Sequence, residues 1–264
     1  MPEKKEKAGV PVLTYHGLSV AGQPGRENGR FWVTDAAFAR HLEQIRQAGL
    51  TARTLAEIRQ RTTAADDEAS VVLTFDDGRA SDYDLAFHAL VDARCQAEFF
   101  LNTVSIGHAG FLTWTQVKEM QAVGMSFQSH GHEHVDHSIL PVAELRRQLD
   151  VSKQEIENRT GAAVKFFAAP YGEWSRRMVD VACEVGYEAV CTTEGRLAEC
   201  ESRMVDRIGI DGRTSARDIE AILTKDPAFF ATRAVQFRLK RVPKMVVMQL
   251  FPGVMKAWRD RHHE

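Results

Sequence analysis

The sequence predicts an α/β fold built on a parallel sheet. Short apolar, β-branched runs alternate with amphipathic helical patterns almost throughout, in about seven βα units. The chemically unusual residues fall just after the predicted strands: His16, Asp76 and Asp77, His130 and His134, and Pro170 to Gly172. A βα barrel would gather such positions at its C-terminal mouth. A doubly wound open sheet, the competing architecture, would spread them along a crevice.

The elements follow in order. Val10 to His16 reads as the first strand. Phe38, Leu42, Ile45 and Leu50 keep helical spacing through residues 35–48, and Gly49 ends that helix. Val71-Val72-Leu73 opens a buried strand that runs into Thr74-Phe75-Asp76-Asp77-Gly78. Ser81-x-x-Asp84 resembles a capping box, with Leu85, His88, Ala89 and Leu90 expected to face inward. Glu98 to Leu101 is a strand, and Thr113-x-x-Gln116 is a second capping box before a helix closing at Gly124. Met125 to Phe127 leads into a histidine cluster, and Pro141 to Arg159 is a long polar-faced helix. Val164 to Ala168 is a strand ending in Pro170-Tyr171-Gly172. A helix over 175–185, strands over Tyr187 to Cys191 and Met204 to Ile208, and a helix from Ser215 to Leu223 complete the repeat. Neither GxGxxG nor GxxxxGK[ST] occurs, so nothing marks a phosphate cradle.

Composition sets the bounds. With 264 residues, 44% of them apolar and 27% charged, the chain can bury a large core. A net charge of −2 gives no reason to expect nucleic acid as a partner. Residues 229–264, however, carry eight basic and two acidic side chains. Within them, Lys244 to Lys256 brackets an apolar stretch far too short to span a bilayer. That pattern suits either a helix covering the barrel or an interfacial segment in peripheral contact with a membrane through 229–261. The expected organisation is a flexible N-terminus over 1–9, a barrel over 10–228 and a basic amphipathic helical extension over 229–264. Cys95, Cys183, Cys191 and Cys200 show no close metal spacing, and Cys95 and Cys183 fall in apolar helical patterns as core thiols. The charged N-terminus has no signal-peptide h-region. These features predict a reduced, cytoplasmic protein, peripheral at the inner membrane face if the basic segment docks there.

The chemistry sits in two clusters. Two carboxylates at the end of a core strand are costly unless a metal, an arginine or a substrate pairs with them. Four of the ten histidines lie between Ser129 and His137. A catalytic zinc-type site needs three protein ligands and one open position. His130 and His134 with one of Asp76 and Asp77 supply that set, and the other acid is then placed to act as base. An HxD facial triad at His134-Val135-Asp136 is a different reading, but it belongs to β-rich jelly rolls, which the βα repeat opposes.

These residues resemble the polysaccharide deacetylases (the NodB-homology domain, carbohydrate esterase family 4). Thr74-Phe75-Asp76-Asp77-Gly78 is similar to the first family motif and His130-Gly131-His132-Glu133-His134 to the second. Ala169-Pro170-Tyr171-Gly172 resembles the third, and Pro11 to His16 an opening strand seen in many members. The likeness runs from about residue 10 to 210. It implies a distorted (β/α)7 barrel with a C-terminal helical tail, and hydrolysis of N-acetyl groups on the amino sugars of a polysaccharide or lipid-linked glycan. By position it implies Asp76 as general base and Asp77, His130 and His134 as ligands of a divalent metal, zinc first, with cobalt, nickel, manganese or iron as alternatives. It implies the backbone N–H of Tyr171 as an oxyanion donor. His16, Trp114, Pro170 and Trp174 are candidate substrate contacts. The chain departs from the family at three places. Ala168 stands where the third motif carries the arginine that braces the base, so that brace is expected to be missing. No Asp-Trp-Arg-Asp-like fourth motif follows Tyr187, and no Leu-x-His fifth motif supplies the general acid, for which His16, His132 and His137 are the candidates. Two alternatives to a sugar deacetylase stay open: a non-catalytic carbohydrate-binding barrel, and a hydrolase of another non-peptide amide.

Overall fold

A computed structural model describes residues 9–20, 31–60 and 69–235. Residues 1–8 of the flexible terminus expected over 1–9, and residues 236–264 of the basic extension expected over 229–264, including Lys244 to Lys256, lie outside the described residues. The frame is a curled parallel sheet. Its strands are β1 (Val12–Tyr15), β5 (Ser70–Asp77), β6 (Glu98–Leu101), β7 (Ser126–Ser129), β8 (Phe166–Ala168), β9 (Ala189–Cys191), β10 (Met204–Val205) and β11 (Ile208–Gly209). They lie in the order β10-β9-β8-β7-β6-β5-β1-β11. Short strands β2 (Leu18–Ser19) and β3 (Val33–Thr34) pair with each other, and β4 (Thr51–Ala52) pairs with the start of β5.

Alternation along the strands builds two cores. Leu13, Tyr15, Leu73, Phe75, Phe99, Phe127 and Phe167 face the helices. Val12, Val72, Phe100, Phe166, Ala168, Ala189 and Cys191 fill the inside of the curl. A sheet buried on both faces is what makes these strands continuous apolar runs. The sheet's ends meet in one extended segment. Met204 and Val205 pair with β9, whereas Ile208 and Gly209 pair with β1. The single strand expected over Met204 to Ile208 is therefore two, divided by Asp206-Arg207 where the chain crosses the seam.

Helices α1 (Asp35–Gln47), α2 (Leu55–Gln60), α3 (His88–Asp92), α4 (Trp114–Ala122), α5 (Val142–Thr160), α6 (Arg176–Val185) and α7 (Ala216–Leu223) surround the sheet. Residues 227–235 are helical as well. Phe38, Leu42 and Ile45 are buried on α1, as their spacing predicts. The Thr113–Gln116 capping box forms with both reciprocal hydrogen bonds. The Ser81–Asp84 box does not. Ser81 has helical dihedrals, and its hydroxyl accepts the Leu18 N–H at 3.2 Å instead. A wide π-type helix then runs over Asp82–Phe87 into α3. Its looser winding brings Asp82, Ala86 and Leu90 inward, leaving His88 exposed rather than buried. Cys95 and Cys183 are only half-buried at the edge of the core, and Cys191 and Cys200 are the deeply buried thiols. No helix among the described residues is long and apolar enough to cross a membrane.

Candidate metal centre at the sheet's C-terminal mouth

Strict alternation would send Asp76 and Asp77 to opposite faces of β5. Asp76 continues the inward row of Val72 and Thr74. Asp77 would point at the helices, but its φ of 78° turns the strand end back toward the mouth. A non-glycine residue rarely holds that dihedral, and residues that do are concentrated at functional sites. Gly78 follows at φ 70°, where a Cβ would lie 2.8 Å from Ile106 Cδ1 and 2.9 Å from Leu101 Cδ2. Glycine is required there on both counts.

The turned Asp77 meets both histidines. Its Oδ1 lies 3.5 Å from His130 Nε2 and 3.4 Å from His134 Nε2. One donor atom from each residue fits within 4.8 Å of the others. The far side of each imidazole is fixed. His130 Nδ1 is 2.9 Å from the Ala168 carbonyl, an acceptor, so Nδ1 carries the proton and Nε2 presents a lone pair. Tyr171 donates its hydroxyl proton to the His134 carbonyl at 3.2 Å, so the Tyr171 hydroxyl oxygen can accept His134 Nδ1–H at 3.1 Å. Such outer partners orient imidazole ligands of metals. Burial holds both rings neutral: it lowers His130 to about 4 against the opposing pull of Asp76, and it lowers His134 as well. Asp77 Oδ2 accepts from Arg79, whereas its buried Oδ1 has no hydrogen-bond partner. An orphaned carboxylate oxygen facing two imidazole lone pairs fits a divalent cation.

Asp76 is not unbraced. Arg207 Nη1 and Nη2 donate to its two carboxylate oxygens at 2.7 and 2.8 Å in a bidentate pair. The arginine absent at position 168 is supplied from the seam between β10 and β11. Its Nε donates to the Thr192 carbonyl, and its guanidinium lies over the Phe100 ring at 5.1 Å. Both partners are buried. Burial alone would raise Asp76, but Arg207 and then His130 outweigh it and hold the carboxyl well below the usual range. The neighbouring Asp206 points the other way and accepts the N–H groups of Glu194, Gly195 and Arg196, fixing the loop after β9. A charged pair inside an apolar run, Met204-Val205-Asp206-Arg207-Ile208, was the available signal; it is the same kind of signal that marks Asp76-Asp77.

These groups open on a cavity of about 570 Å³. His16, Asp76, Asp77, His130, His134 and Tyr171 line it. So do Trp32, Arg79, Thr193, Asp211 and Arg233, which the strand-end pattern did not single out. Pro170, Trp114 and Trp174 are not among its lining residues. Pro170 is buried at the start of the turn that presents Tyr171. Trp114 packs at the head of α4 with Arg159 over its ring at 5.4 Å, and Trp174 donates to Glu194 at 2.9 Å. His132 bonds Thr103, and His137 bonds the Val135 carbonyl beneath Gly131; neither lines the cavity. Of the three acid candidates only His16 does.

Comparison with known proteins agrees with this geometry. Residues 63–190 match the family model described as polysaccharide deacetylase. YxkH of Bacillus subtilis (strain 168), whose name assigns it to the same family, is 29% identical over 204 residues, 76% of this chain and 71% of the relative. The deacetylase PplD of Streptococcus pyogenes, solved with acetate, superposes with a TM-score of 0.76 at 24% identity, covering 82% of this chain and 99% of its own. BC0361, a polysaccharide deacetylase from Bacillus cereus, gives 0.71 at 23% identity over 82% and 69%. The shared architecture is the deacetylase barrel.

Proposed function

We propose that this chain, which carries a polysaccharide deacetylase domain, removes N-acetyl groups from amino sugars by metal-assisted amide hydrolysis. The observation that carries the reading is the orphaned Asp77 oxygen facing the Nε2 lone pairs of His130 and His134, with a second carboxylate, Asp76, lining the same cavity. Asp77, His130 and His134 would hold the cation, zinc suiting their nitrogen and oxygen donors. When bound there, the metal supplies Lewis acidity and a nucleophile at neutral pH.

The remaining roles fall to the chain's own groups. Asp76, kept ionised by Arg207, is the base that takes a proton from the attacking water. The Pro170–Gly172 turn spends the N–H groups of Gly172 and Glu173 on the Ala169 and Pro170 carbonyls. Tyr171, held at φ 60° in that turn, presents its own N–H as the donor for charge developing on the carbonyl oxygen. His16 lines the cavity with its buried Nδ1 unpartnered, and it is the group placed to return a proton to the leaving amine. The test is zinc analysis of the purified protein together with acetate release from chito-oligosaccharides by wild type and Asp76→Asn. The expected result is bound zinc in both and a loss of at least about 100-fold in rate for the variant, the low end of a general base's contribution. Equal rates in the two proteins would refute the assignment.

A further inference from the structure

Three arginines surround the mouth, and two are engaged with the carboxylates of the centre. Arg207 grips Asp76 and Arg79 donates to Asp77. The third, Arg233, comes from the helical residues 227–235, beyond the repeat, and lines the same cavity. Its guanidinium lies over the Phe229 ring at 5.5 Å, and Phe229 itself packs against the outer core. The bare backbone of Gly195 also lies close to it. A Cβ at that position would lie 3.1 Å from Arg233 Nε and 3.3 Å from Nη2. Asp206 holds the Gly195 N–H at 3.2 Å, so this wall is fixed. An aromatic ring and a glycine backbone both lie against the fork and restrict where it can sit.

No carboxylate pairs with it among the described residues. Burial lowers its affinity for a proton, and Asp218, Asp211 and Asp206 offset this only through space. Asp211 lines the cavity too, but its Oδ1 accepts the Arg213 N–H at 2.9 Å. Asp206 is committed to the backbone N–H groups of the loop after β9 and to the Arg196 guanidinium, whose Nε lies 3.0 Å from its Oδ2. A half-buried guanidinium without a bonded carboxylate carries a desolvation cost that a bound anion would offset. The planar fork matches a carboxylate or phosphate with two parallel hydrogen bonds. A neutral N-acetylated sugar offers no such group.

We propose that Arg233 is the specificity-determining contact for a negatively charged substituent, carboxylate or phosphate, on the amino sugar whose acetamide enters the metal centre. The inference rests on the deacetylase reading and narrows its substrate class to acidic sugars.

The test uses the zinc-loaded full chain. Acetate release is measured from N-acetylglucosamine, N-acetylmuramic acid and N-acetylglucosamine 1-phosphate, with calorimetric titration of the same three sugars, for wild type, Arg233→Gln and Arg233→Lys. At least one acidic sugar should be preferred over the neutral one by wild type. Arg233→Gln should lower that selectivity about tenfold or more through KM, the size a hydrogen bond to a charged group carries, and Arg233→Lys should recover part of it. Which acidic sugar responds separates carboxylate from phosphate. Equal handling of acidic and neutral sugars by wild type, no binding of either, or a selectivity that Arg233→Gln leaves intact overturns the inference. Acidic-sugar binding that is lost in Arg233→Gln without acetate release from any sugar upholds it, and the deacetylase reading is then what fails.

Discussion

Replacing Arg207 by methionine removes one half of a buried ion pair and leaves the other half in place. Asp76 is 2% exposed and accepts two hydrogen bonds, at 2.7 and 2.8 Å, from a fully buried guanidinium. Methionine fills similar volume against Phe100 but returns no charge. Breaking a buried pair in this way costs about 3–5 kcal/mol, which for a chain of this size lowers Tm by roughly 10 °C. The pH dependence gives a second handle. Arg207 keeps the folded-state Asp76 below its unfolded value, so the pair's contribution is present above about pH 4 and fades as pH falls through the folded value. Without Arg207, burial pushes Asp76 upward, so Arg207→Met should lose ground to wild type as pH rises above about 4. Urea unfolding at pH 5 and pH 8, with chelator present so that metal binding adds nothing, measures both effects. Asp76→Asn in the Arg207→Met background should recover most of the loss, because no buried charge is then left unpaired. A single variant within about 1 kcal/mol of wild type at both pH values, or a double variant no more stable than Arg207→Met, would refute the reasoning.

Asp77→Asn should keep the strand end, since asparagine tolerates positive φ, while removing the anionic oxygen; zinc measured by equilibrium dialysis should fall from about one per chain to a small fraction, and retained zinc would remove Asp77 from the ligand set. Gly78→Ala should cost more than about 1 kcal/mol, because the added methyl meets Ile106 and Leu101; Gly161→Ala, at the same φ but with nothing within 4 Å, should cost less in parallel melts. Glu98, buried and pushed up to about 8, binds a proton on folding, so its stabilisation is present below about pH 4.5 and is lost as pH rises toward 8. Glu98→Gln should gain on wild type by up to about 1.4 kcal/mol per pH unit across that window, and a pH-independent difference in Tm would show that Glu98 is ionised when folded.

The βα rhythm was legible because both faces of the sheet are buried, which turns strands such as Val71 to Phe75 into unbroken apolar runs. The short pieces β2, β3, β4 and α2 were not, since two to six residues give no period to read. In the site, adjacency in sequence decided what could be seen. Asp76 with Asp77, and His130 with His134, are neighbours on the chain and announced themselves. Arg207 is 131 positions from Asp76, and only curling of the sheet brings them together. Reading motifs one strand at a time put the brace at position 168 and found alanine there; the interior of a barrel can be reached from other strand ends too. Trp32 and Arg233 were missed for a related reason: one lies far along the connection from β1 to α1 and the other beyond the repeat, and the end of no predicted strand marks either.

The two-residue crossing between β10 and β11 ties mechanical closure to chemistry. The residues that zip the last strand segment onto β9 and β1 are flanked by the one that sets the charge state of Asp76. A disturbance that parts this zip by an ångström or two would slacken the grip on Asp76 while the remaining strands stayed paired. Thermal loss of turnover should therefore run ahead of thermal loss of secondary structure, with the gap between the two curves a gauge of how firmly the last strand is fastened.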